Sequence, residues 1–189
     1  GEVYFDALGG AFTADQIVAL HKLSRREYQE SPLVKDMMTA LVPTPQPYDG
    51  GQFKDVELST PEGKKAMIGD YVGKDKVVLI DFWASWCGPC RKEMPELVEL
   101  YKEYKDKGFE ILGISLDDNL SGWTRAIKTM NMTWANLSDL GGWNSKAARI
   151  YEVRSIPQSF LVDKKGNMVG HNLKGAALKI KIEELLNEE

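Results

Sequence analysis

The spacing of apolar positions changes along the 189 residues, and each change marks a change of element. Residues 1–42 carry a helical period. Thr13 to Gln16, TADQ, forms a capping box, with Ile17, Leu20, Leu23 and Tyr28 following at helical spacing. Ser31-Pro32 opens a second helix whose apolar set is Leu33, Val34, Met37, Met38 and Leu41. Residues 43–51, PTPQPYDGG, break the pattern with prolines and glycines and form a linker. From residue 52 to 189 the chain reads as one αβ domain. A hairpin is predicted around Pro61–Gly63, and the apolar, β-branched run KVVLIDFWA, 76–84, predicts a strand buried on both faces. A helix starts near Gly88, with Met94, Leu97, Val98 and Tyr101 on one face, and Gly108 ends it. FEILGISLD supplies the next strand, so this order is a βαβ unit with a parallel strand pair. Helices are expected over 121–131, with Ser121 as N-cap, and over 144–152. SFLVDKKGNMVGHNL reads as two strands around DKKGN, and Leu178, Ile182, Leu185 and Leu186 mark a closing amphipathic helix. There is no internal repeat.

Composition adds mainly exclusions. A chain that is 43% apolar and 28% charged can bury an ordinary core. Its net charge of −4 argues against a nucleic-acid partner, which needs a basic face. No apolar run approaches the roughly 20 residues of a membrane span. GEVYFDALGG lacks the basic start and apolar block of a signal peptide, which a processed chain would lack as well.

The two cysteines, Cys87 and Cys90, are the candidate chemistry. As metal ligands they are half of a zinc set, and the two histidines, His21 and His171, have no ligand spacing; both read as surface or capping residues. As a structural staple they close too short a loop to matter. A redox pair accounts for their placement. Cys87 stands where a buried strand hands over to a helix, so helix N–H groups and the positive end of the dipole favour its thiolate. Cys90, one turn on and more shielded, can attack a mixed disulfide on Cys87. Gly88 permits close backbone approach, and Pro89 fits the start of the helix. Pro95, inside the same helix, is expected to kink it.

DFWASWCGPCRKEMPEL resembles the active-site segment of the thioredoxin superfamily. With TPEGKKAMIGDYVGKDKVVLIDFWA, DDNLSGWTRAIKTMNMTW and SIPQSFLVDKKGNMVG, the chain from about residue 50 to 189 resembles TlpA/ResA-like thiol-disulfide oxidoreductases of the AhpC/TSA group. The arm over 1–42 is similar to the end of the helical prodomain of some Bacteroidetes-type members. The resemblance implies a thioredoxin-like fold, a central mixed sheet flanked by helices, with a helical N-terminal extension. It implies disulfide exchange with protein substrates and an upstream electron donor, no cofactor or metal beyond the cysteine pair, and a cell-envelope location, a cytoplasmic one staying open.

The same resemblance assigns residues. Pro157 matches the cis-proline beside the CxxC, leaving the backbone of Ile156 to pair with substrate; the alternative is a strand-start proline. Asp81 matches the buried acid of thioredoxins, a proton acceptor with a raised pKa, or else is a hydrogen-bonded core acid. Glu93 matches the acid three residues after the second cysteine, or else is a solvated helix residue. Trp86 is expected beside the sulfurs, available for docking. Trp83 is expected in the core, and Trp123, Trp134 and Trp143 in the packing of the inserted region. Gly-Pro between the cysteines resembles reducing thioredoxins. Two other activities compete. A thiol peroxidase of the peroxiredoxin kind would carry threonine where this chain has Ala84, beside Ser85. A copper-handling module would draw on soft thiolates but lacks a suitably placed histidine.

Overall fold

Glu57–Ser59 (β1) and Lys65–Met67 (β2) pair antiparallel, with Glu57 opposite Met67. Their turn is closed by Thr60 N–H on Lys64 O at 2.8 Å, and Gly63 takes a positive φ of 80°. The structure, a computed structural model, describes residues 51–188. The predicted helices of 1–42, and the linker except Gly51, lie outside the described residues.

The apolar run becomes Val77–Trp83 (β3), in which every residue is buried. Gly88–Tyr104 (α1) follows, then a 3₁₀ turn to Gly108, whose φ of 99° ends the helix as the sequence predicts. Pro95 sits on the exposed face, and α1 stays helical on both sides of it. Phe109–Ser115 (β4) lies parallel to β3, with Trp83 opposite Ser115. Leu120–Thr129 (α2) begins one residue before the predicted start. Its cap is Asn119 and not Ser121: Asn119 Oδ1 accepts Gly122 N–H at 2.8 Å. Ala135–Leu137 (β5), which the apolar pattern does not predict, adds a parallel edge strand to β4. Lys146–Ile150 (α3) is shorter than the predicted 144–152, because 142–144 is a 3₁₀ turn and Glu152 adopts φ 53°. Gln158–Val162 (β6) and Met168–His171 (β7) are the predicted pair, and Asp163 Oδ1 accepts the N–H groups of Lys165 and Asn167 in their turn. Gly175–Asn187 (α4) closes the described chain.

The main sheet runs β5-β4-β3-β6-β7, with β6 antiparallel to β3. β3 is therefore central, and whatever follows its C-terminal end is held by the most buried strand of the fold. The thioredoxin-like arrangement, a mixed sheet flanked by helices, is as expected from the sequence.

One contact inside the sheet limits what β4 tolerates. Trp83 Nε1 donates to Asn136 Oδ1 at 3.1 Å across Gly113. A Cβ on Gly113 would stand 2.3 Å from that oxygen and 3.0 Å from the indole nitrogen. Gly113→Ala must break the bond or push the strands apart. We expect a loss of about 2–4 kcal/mol, overpacking plus an orphaned buried polar pair. Urea unfolding checks this; a change under about half a kilocalorie would mean the sheet edge gives way freely.

Candidate active site

The site grows from the end of β3. Cys87 N–H donates to Ala84 O at 3.1 Å, closing a turn that carries the chain from strand to helix. Asp117 anchors this turn from the neighbouring strand. It accepts Ser85 N–H at 3.0 Å, the Ser85 hydroxyl, and the Ser115 hydroxyl at 2.7 Å. Sequence reading missed Asp117, although the parallel register contained the signal. With Trp83 opposite Ser115, Ser85 and Asp117 each fall two residues further along.

Cys87 is the N-cap of α1, with φ −79° and ψ 103°, and its Sγ accepts Cys90 N–H at 3.2 Å. The two sulfurs form a disulfide, S–S 2.01 Å, with Cα atoms 5.3 Å apart. The helix terminus thus places a backbone donor on the first sulfur, as strand-then-CxxC predicts. The expected difference in access is small: Cys87 is 4% exposed and Cys90 2%. Both cysteines are buried, while Trp86, Gly88 and Pro89 around them are exposed. A reaction partner must press onto that rim to reach Cys87.

Behind the turn, Asp81 on β3 is almost fully buried, and among the described residues no hydrogen bond satisfies its carboxylate. Burial pushes its pKa up to about 7, the Glu93 charge adds to the rise, and Lys174 opposes it. Glu93 is half-buried on α1 and ion-pairs with Lys174, which precedes α4. Asp81, Glu93, Lys174 and Pro157 line one small cavity of about 30 Å³, room for a water molecule. Neither cysteine is among its lining residues.

The Ile156–Pro157 peptide is cis, as the resemblance implies. Neither backbone polar group of Ile156 takes part in a hydrogen bond among the described residues. Trp83, Trp123 and Trp134 are buried as expected, but Trp143 is not. It is 49% exposed and packs on the ring of Trp86, itself 52% exposed, with centroids 6.0 Å apart. The reason is its place in the Gly142–Asn144 turn, which holds it outside the core.

The competing activities find less here. Ala84 is fully buried and has no hydroxyl, and the Ser85 hydroxyl is committed to Asp117, so neither positions a peroxide. Among the described residues no group of three or more His, Cys, Asp or Glu could hold a metal ion. His171 is exposed at the end of β7, its ring 5.0 Å from that of Phe160, and partial burial lowers its pKa. His21 lies outside the described residues.

Comparison with known proteins agrees with this geometry. The AhpC/TSA family model matches residues 50–171. Thiol-disulfide oxidoreductase ResA of Bacillus thuringiensis subsp. konkukian is 37% identical over 127 residues, which is 67% of this chain and 70% of that one. Among solved structures, the C-terminal domain of a putative thiol-disulfide oxidoreductase from Bacteroides thetaiotaomicron superposes with a TM-score of 0.69 at 36% identity, covering 74% of this chain and 97% of that one. A thiol-disulfide oxidoreductase from Bacteroides fragilis gives 0.66 at 33% identity, covering 71% and 98%. With a CxxC disulfide on a helix N-terminus in this sheet, a family-model match over most of its length and these relatives, the chain is a member of the AhpC/TSA family and a thiol-disulfide oxidoreductase.

Proposed function

We propose that the protein runs this exchange in the reducing direction, on protein disulfides, with Cys87 as the attacking sulfur. The observation that carries the assignment is the Cys90 N–H on Cys87 Sγ at the helix terminus. In the dithiol form the same donor and the dipole favour a thiolate there. That thiolate attacks one sulfur of a substrate disulfide and expels the other as a thiolate. Cys90, once deprotonated, attacks Cys87 Sγ, re-forms the intramolecular disulfide and expels the remaining substrate sulfur. Two electrons pass to the substrate, and the two protons lost by the protein thiols balance the two substrate thiols. An upstream dithiol donor restores the pair; no further cofactor enters.

The other residues take supporting roles in this reading. Asp81 accepts the Cys90 proton, with Glu93 and the small cavity they both line leading from it toward solvent. Ile156 offers free backbone groups to an extended substrate chain beside Pro157, and Trp86, Gly88 and Pro89 form the contact rim. The cell envelope is the compartment this implies, since a reductase of exported disulfides works where disulfides form. Recovery from the host cytoplasm would overturn that part.

The Gly-Pro spacer supports the direction. A redox titration in glutathione buffers is expected to give a potential close to thioredoxin's, about −270 mV. A value near −120 mV, that of a strong oxidant, would reverse the direction. We also expect the Cys87 thiol to ionise below the free value of about 8.5. Thiolate absorbance followed against pH reads this; a midpoint at or above the free value would remove the helix terminus as its cause.

A further inference from the structure

The ladder between β3 and β4 ends where the active-site turn begins. Its last rung is Leu116 N–H on Trp83 O at 2.8 Å. In a parallel pair the next donor on the β3 side, Ser85 N–H, would go to the Leu116 carbonyl. It goes instead to Asp117 Oδ2 at 3.0 Å, so a side chain takes over where the sheet stops. The Ser115 hydroxyl donates to the same oxygen at 2.7 Å and accepts Asp117 N–H at 3.0 Å, which fixes the carboxylate from behind. The Ser85 hydroxyl takes the other oxygen. Asp117 is buried, and α2 closes over the turn: a Cβ on Gly122 would stand 3.5 Å from Ser85 Oγ. Three backbone donors then lead to the reacting atom. Cys87 N–H on Ala84 O at 3.1 Å shapes the turn, Arg91 N–H on Cys87 O at 3.1 Å starts the helix, and Cys90 N–H reaches Cys87 Sγ at 3.2 Å.

We propose that Asp117 is a positioning residue for the dithiol form: through Ser85 it keeps Cys87 Sγ on the helix terminus once the disulfide is open. The proposal rests on the reading of Cys87 as the attacking thiolate and says what holds that thiolate in place. In the oxidised protein the S–S bond itself ties Cys87 Sγ to Cys90, whatever the turn does. Reduction cuts that tie. The sulfur then keeps its N–H partner only if the backbone of Cys87 stays where it is, and that backbone follows directly on the residues Asp117 clamps. Among the described residues no other side chain hydrogen-bonds to residues 84–86. An N–H donating to a thiolate is a charge-assisted bond, stronger than one to a neutral disulfide sulfur. Slack in the turn therefore costs the dithiol form more than the disulfide form. Asp81, Glu93 and Lys174 around the small cavity share no hydrogen bond with Asp117, Ser85 or Ser115, so substitution at 117 takes none from them.

The test uses the full chain with two substitutions. Asp117→Ala removes both acceptors, whereas Asp117→Asn loses the charge but keeps a side-chain oxygen for Ser85 N–H. In Asp117→Ala the Cys87 thiolate should form about one pH unit higher than in wild type, the scale of one hydrogen bond to a charged group. Above both midpoints the equilibrium with glutathione should move about tenfold toward the disulfide, or about 30 mV more negative. Asp117→Asn should lie close to wild type in both. A merely structural role weakens oxidised and reduced protein alike and leaves the glutathione equilibrium unmoved. A simple field effect of the carboxylate would lower the midpoint in both variants. Either result overturns the proposal and leaves the reductase reading intact. Wild type alone supplies a second measurement that needs no variant to fold: amide exchange at Ser85 N–H. It should be about as slow in the dithiol protein as in the disulfide protein, and exchange about tenfold faster after reduction would show the clamp letting go and overturn the proposal. A wild-type midpoint at or above the free value of about 8.5 would instead defeat the attacking thiolate itself, and the proposal with it.

Discussion

Cys90→Ser is expected to stop the enzyme after one attack, with the substrate left covalently bound, while Cys87→Ser removes turnover altogether. The asymmetry follows from the helix terminus. Cys87 is the N-cap, and its sulfur receives the N–H of Cys90; Cys90 itself lies within the first turn of the helix. Serine at position 87 offers a hydroxyl that stays protonated at neutral pH, so the rate falls by on the order of 10³-fold or more. Serine at position 90 leaves the first thiolate in place but takes away the group that expels product. The mixed disulfide then accumulates one-to-one with protein. Mass spectrometry of the alkylated, unreduced protein would resolve both variants. A stable adduct on Cys87→Ser, through Cys90, would exchange the two roles.

How much of this was legible in the sequence depends on how local each feature is. β3 was legible because six of its seven residues are apolar with no alternation, a pattern that fits an element covered on both faces, as the burial of all seven bears out. The CxxC at its end was legible for the same reason, since strand, turn and helix are adjacent in sequence. β5 was not, because its three residues include an asparagine and are too few to alternate. Asn119 and Ser121 are both good capping residues, and only the backbone turn decides between them. Trp143 illustrates a wider limit. A tryptophan in an inserted segment reads as packing, yet its exposure is set by a turn tied down through Asp139. The Glu93–Lys174 ion pair spans 81 positions, and no local pattern foretells it. Asp81 was legible as an acid in a buried strand, but the groups that tune it come from α1 and the residue before α4.

That tuning makes the second large prediction. The pKa of Asp81 is raised from an ordinary 3.8 to about 7, with burial the main cause, Glu93 adding to it and Lys174 opposing it. Between about pH 4 and 7 the folded chain keeps a proton that the unfolded chain has released. Stability therefore falls as pH rises through that window and levels off above about 7, where both states have lost the proton. The full cost is on the order of 4 kcal/mol, about three pKa units at 1.36 kcal/mol each. Asparagine has no charge to bury. Asp81→Asn should gain on wild type steadily from pH 4 to pH 8, by about 4 kcal/mol in total, since the other titrating groups cancel in the difference. Glu93→Gln should move the end of the slope to lower pH, and Lys174→Met to higher pH, because the first removes a like charge and the second an opposite one. The stabilised Asp81→Asn variant should also resolve its mixed disulfide more slowly near neutral pH, which would explain why so costly a group is kept in the central strand. Urea unfolding of the oxidised protein at several pH values tests the thermodynamic half, and resolution rates test the catalytic half. Parallel stability curves for wild type and Asp81→Asn would mean the carboxylate is solvated well enough to ionise normally, and proton transfer would then have to be sought at Glu93.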